Sequence, residues 1–277
     1  MNQPPDLVTL HVWRIPRRAL PRALTRMAVD RRRLRATPGV RFGKLLGTGS
    51  GTSFGPTDAD LTRWAALVVW SEPARAADFD DSPVGRAWGR IALAGARLDL
   101  RPQASRGRWA GTEPFGAPAN RTDPVNRTDA AHRTDAAQRT DAAQRTDAAD
   151  RRSSHGRPTA PGGPVLALTR ARLRPARAAT FWRAVPPVVA ALRDAPGLLA
   201  RFGVGEAPLG WQGTVTVWRS STDLVEFAYR QPEHRGAIMR TPTERWYAEE
   251  LFARFEIRAV HGDRTVLDWA GHDDGPE

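Results

Sequence analysis

The feature that most constrains this chain is that its plan is written twice. The tripeptide RFG occurs at Arg41–Gly43 and again at Arg201–Gly203, each followed by a glycine-containing loop. A strand ending in tryptophan comes next, WAALVVW to Trp70 and QGTVTVW to Trp218, and nine residues on stands Phe79 or Phe227. Composition and periodicity predict strand, helix, strand, strand, helix, strand in each half. The first half reads 7–15, 20–36, 40–46, 62–70, 74–94 and 97–103. The second reads 165–173, 180–194, 199–204, 213–218, a broken helix over 223–250, and 255–261. A β-α-β-β-α-β unit is the ferredoxin-like pattern. The expected fold class is therefore α+β, with two ferredoxin-like halves fused into a dimeric α+β barrel; two independent domains on a string is the competing arrangement.

Between the halves, RTD recurs five times at a six-residue period, at Arg121, Arg127, Arg133, Arg139 and Arg145. Six residues turn a helix through about 600°, so successive units face different ways and no apolar stripe forms. Such a tract buries nothing and is expected to be a disordered insert. The expected organisation is 1–118, a linker over 119–161, and 162–277. His132 and His155 fall in the linker and drop out as site candidates.

Composition narrows the chemistry. The chain has no cysteine, which excludes thiolate nucleophiles and Cys-held zinc, haem or iron–sulfur groups. The net charge is +12, nearly all of it arginine, with Lys44 the lone lysine. Attraction to nucleic acid or anionic lipid is one reading, and a diffusely basic surface is the other; nucleic acid ranks last as a partner. The N-terminus lacks a charged stretch leading into an apolar one, and the most apolar run, Ala65–Trp70, is too short to span a bilayer. The expectation is a cytoplasmic protein, with membrane association left open.

The glycines of GTGSGTSFG, 47–55, invite a phosphate-cradle reading. They match neither the dinucleotide fingerprint nor the P-loop, and a strand follows instead of a helix. A strand-connecting hairpin at the mouth of the first half's cavity fits better. Among the histidines, His11 and His261 lie in predicted strands and His272 in an acidic tail. His234, in FAYRQPEHRGAI near Tyr229, is open to two readings, a surface histidine or a metal or haem ligand. ASRGRWAGTEPFG sets Arg106 and Arg108 beside Trp109, which suits either a carboxylate site or a basic turn with a packed indole. No Ser-His-Asp set and no HExxH motif supports hydrolysis.

The blocks FGKLLGTGSGTSF, ASRGRWAGTEPF, FWRAVPPV, FGVGEAPLGWQGTVTVW and RWYAEELFARF resemble, in order, those of the spheroidene monooxygenase family, carotenoid-oxidising enzymes of purple bacteria. The resemblance spans nearly the whole chain outside the RTD tract and the ends. It implies a dimeric α+β barrel, haem, reduced ferredoxin as electron donor, and oxygenation of an acyclic carotenoid or similar apolar polyene. It places His234 as axial ligand and puts Lys44, Arg106 and Arg108 near propionates or a distal oxygen species. Trp109, Trp246 and Tyr229 are expected to line the substrate cavity. A cofactor-free oxygenase, or a barrel that binds haem or an apolar ligand without chemistry, is the alternative.

Overall fold

A computed structural model describes residues 4–55, 57–116, 163–206, 211–230, 240 and 244–269. His234, both expected domain boundaries and the whole 119–161 tract lie outside these residues.

Eight antiparallel strands close into a barrel in the order β1-β3-β2-β6-β7-β5-β8-β4. The strands are β1 (Val8–Arg14), β2 (Val40–Gly49), β3 (Ala59–Trp70), β4 (Ala94–Gly107), β5 (Val165–Leu173), β6 (Leu198–Gly205), β7 (Trp211–Trp218) and β8 (Tyr247–Gly262). Helices α1 (Leu20–Ala36) and α2 (Pro83–Gly89) belong to the first half, and α3 (Ala178–Arg193) and α4 (Ser221–Arg230) to the second. Each half contributes four neighbouring strands in equivalent order, β2-β3-β1-β4 and β6-β7-β5-β8.

Two expectations are corrected. The helix expected over 74–94 is a 3-10 stretch, Pro73–Asp81, followed by the short α2, because Pro83 restarts the chain as a helix beneath the Ser82 cap. The broken helix expected to reach Glu250 stops short of it, because Tyr247–Glu250 already belong to β8. Leu251, Ala253 and Phe255 alternate into the barrel, and this period of two extends back through Glu249.

The barrel lumen is a packed core. Val8, Leu10 and Val12 of β1 meet Leu67 and Val69 of β3, Leu166 and Leu168 of β5, and Phe202, Val215 and Phe255 from the second half. Buried ionic groups close both ends. At one end Arg63, fully buried, pairs with Asp268 and donates to the Gly49 carbonyl at 2.7 Å. At the other, Arg170 pairs with Glu249 and, at 3.2 Å, with Glu206, which also accepts from Lys44 at 3.0 Å and from the Trp109 indole.

Candidate functional site

Strand register makes the two halves comparable residue by residue. His11 lies opposite Ala66, four positions before Trp70, and Thr169 lies opposite Thr214, four before Trp218. Thr169 is thus the counterpart of His11. By the same register Ala171 answers to Trp13, Phe252 to Arg97, and Arg201 to Gly43.

On the outer face of the first half's sheet these positions are filled. His11 and Trp13 lie beneath Phe79 and Trp88, with ring centroids 4.0 Å apart for His11–Phe79 and 5.3 Å for Trp13–Trp88. Burial, and secondarily the charge of Arg97, lowers the His11 pKa from 6.5 to about 3, so it is a neutral core residue bonded to Thr9 at 3.0 Å. Helix α1 sits directly on the sheet at Gly43, where an added Cβ would come within 2.8 Å of Leu34.

The second half is built differently. Cross-strand partners share a face, so Arg106, Phe252, Thr169, Thr214 and Gly203 form one row across the outer surface. Thr169 stands mid-row on a strand paired on both sides, yet it is exposed, whereas His11 is 2% exposed. Ala167 and Ala171 flank it. Where the first half has Gly43, the Arg201 side chain rises from the sheet. Its Nη1 is buried with no hydrogen-bond partner among the described residues, and burial followed by the nearby Arg193 charge lowers its pKa. Phe181, Val185 and Val188 of α3 are half-buried, with Phe181 against Trp246 and Tyr247 at the far end of β5. The outer face of the second half's sheet thus carries small and hydroxyl-bearing residues where the first half carries His11 and Trp13.

The glycine loop reaches this half from the other. Asp58 accepts from the Gly51 and Phe54 amides, both at 3.0 Å, from Thr52 Oγ1 at 2.8 Å and from the Ser50 hydroxyl. The cradle is filled by the chain's own carboxylate. Burial would raise the Asp58 pKa, but these donors outweigh it and hold it below the usual carboxylate value. Phe54, at φ 50°, is turned onto the second half's cluster of Val165, Ala167, Trp218 and Phe227. The loop therefore serves the second half, not the mouth of the first.

The expected site residues are dispersed. Arg106 lies on the row, its guanidinium 5.6 Å from the Phe252 ring centre. Tyr229 is on α4. Trp246 is buried beside the α3 start, 5.8 Å from the Phe181 ring, and donates to Thr180 Oγ1 at 3.1 Å. Lys44 and Trp109 instead belong to the ionic closure of the barrel end, and Arg108 is a surface group 3.7 Å from Glu113. The residues missed in the sequence are Thr169, Arg201, Phe252 and Phe54. Alignment of the halves held the signal for the first of them, since small residues replace His11 and Trp13. Among the described residues no cluster of His, Asp or Glu could hold a metal ion, and no helix is long and apolar enough to cross a membrane.

Comparison with known proteins agrees with this arrangement at the level of fold and family. No family model matches the chain. Two aldoxime dehydratase structures, one with butyraldoxime, share its fold at 15% and 12% identity, with TM-scores of 0.52 and 0.53. They cover 91% of this chain in each case, and 80% and 79% of their own. Spheroidene monooxygenase of Rhodobacter capsulatus is 30% identical over 256 residues, which is 92% of this chain and 89% of that protein. The Rubrivivax gelatinosus enzyme of the same name is 29% identical over 81% of this chain and 72% of its own length. The Cereibacter sphaeroides enzyme is 27% identical over 90% of this chain, which spans 64% of that longer protein. With such identity along almost its whole length, the chain is a monooxygenase and belongs to the spheroidene monooxygenase family.

Proposed function

We propose that the protein oxygenates a carotenoid or similar apolar polyene, and that the reaction takes place in the sheet–helix layer of the second half. The exposed Thr169 in mid-sheet carries this reading, because its counterpart His11 is buried against Phe79 in the first half. We also read the barrel as two ferredoxin-like halves joined as in a dimeric α+β barrel, with the tract over 119–161 as their linker.

Haem fits the layer. Its faces need apolar walls, which Phe181, Val185, Val188 and Phe252 offer, and its propionates need cations. Arg201, whose Nη1 is buried with no partner among the described residues, and Arg106 would supply them. His234, which lies outside the described residues, would hold the haem iron. When bound, haem would supply activation of O₂. Each oxygen atom inserted into the substrate consumes one O₂, two electrons and two protons and releases water, with a ferredoxin-type protein as the proposed donor. The chain's own part is to hold the polyene along the Thr169 row, exclude water with Phe54 and α3, and fix the propionates.

The test is expression in a carotenoid-producing host with pigments identified by mass. A gain of oxygen is expected from the wild type, and none from Thr169→Phe, which fills the layer. Purified protein loaded with haem should show a Soret band that shifts in His234→Ala. An unchanged band overturns the ligand assignment, and unchanged pigments with the wild type overturn the oxygenation.

A further inference from the structure

At the edge of the second half, next to the start of α3, Arg172, Arg174, Arg177 and Arg245 ring a cavity of about 620 Å³. Leu173 and Ala248 supply an apolar part of its lining. Arg174, Arg177 and Arg245 are exposed, and among the described residues no carboxylate lies within ion-pair distance of them. Arg174 is steered by its Nε, which donates to the Tyr247 carbonyl at 3.0 Å, and Arg245 sits at φ 48°, a left-handed conformation uncommon for such a residue. Half-exposed Trp182 and Phe181 lie one turn further along the chain. Guanidinium groups beside apolar and aromatic side chains match a phosphodiester head joined to hydrocarbon.

We propose that this arginine cavity seats the headgroup of an anionic phospholipid and so docks the second half on a membrane. The inference rests on the reading above only in that a polyene would be drawn from lipid; the binding itself needs no catalysis. Phosphate is the shared chemistry, and the lipid is favoured because charged and apolar residues line the same cavity.

Co-sedimentation of the full chain with vesicles of phosphatidylcholine plus phosphatidylglycerol tests it, against phosphatidylcholine alone. The triple variant Arg174→Gln, Arg177→Gln, Arg245→Gln should bind the anionic vesicles on the order of a hundredfold more weakly. A control triple on the first half, Arg22→Gln, Arg32→Gln, Arg90→Gln, removes the same charge and should lose no more than a few-fold. Equal losses in both triples mean diffuse attraction and overturn the site. Absence of wild-type binding, equal binding to neutral vesicles, or tight binding of inorganic phosphate without vesicles overturns the lipid. Loss of haem retention in the first triple with vesicle binding intact reassigns the cavity to the cofactor.

Discussion

Asp58 supplies from within the chain the negative charge around which a glycine-rich loop folds. Its partners are the Gly51 and Phe54 amides and the Ser50 and Thr52 hydroxyls, so Asp58→Ala leaves several donors without an acceptor. A loss of about 2 kcal/mol is expected by urea unfolding at neutral pH. Because the native carboxyl titrates below its unfolded value, the contribution is complete above the ordinary carboxylate range and fades as pH falls. The gap between variant and wild type should close in acid. His11 gives the complementary case. Its folded pKa of about 3 lies below the unfolded 6.5, so the unfolded chain binds the extra proton and stability declines as pH drops from 6.5 towards 3. His11→Gln should flatten that decline in the same titration. The glycines and the histidine were visible as residues. Their meaning depended on Asp58 returning to the loop and on Phe79 closing over the imidazole, contacts that no spacing records.

At the scale of elements, one pattern was used for two purposes. In the first half Trp13, Trp64 and Trp88 bring helix and sheet together, and Trp13→Ala should cost about 3–5 kcal/mol while leaving ligand binding in place. In the second half Thr169→Phe should leave the melting temperature nearly unchanged, since the position is already exposed, yet abolish polyene oxygenation. Thermal melts and pigment analysis on both variants separate the two roles. Strands and α1 were legible because β-branched runs and a polar helix with a proline in its first turn are local signals. The 74–94 helix failed at Pro83, and the overlong helix before β8 failed because alternation in EELFARFEI was read too late in the chain. The site followed only from register, because Thr169 is unremarkable until it is set against His11.

For the molecule as a whole, closure is uneven. The β4–β8 seam runs from Ala96↔Gly262 to Gly107↔Leu251. The β2–β6 seam has only Gly47↔Gly205, Thr48↔Val204 and Gly49↔Gly203. Hydrogen exchange should therefore be about tenfold faster at the amides of the short seam than along the long one. Residues 1–118 expressed alone should aggregate, because half of the lumen core comes from the second half. The duplication announced two alike sheets. It did not announce that their inner faces form one core, since each strand reads the same whether its cover comes from its own half or the other. This closure has a consequence during synthesis. The first half leaves the ribosome with its lumen-facing leucines and valines uncovered, and β8, which completes the wall beside β4, is the last of the eight barrel strands to appear. Until then the nascent chain is a natural client for holding chaperones, and the pace of translation through the second half sets how long that exposure lasts.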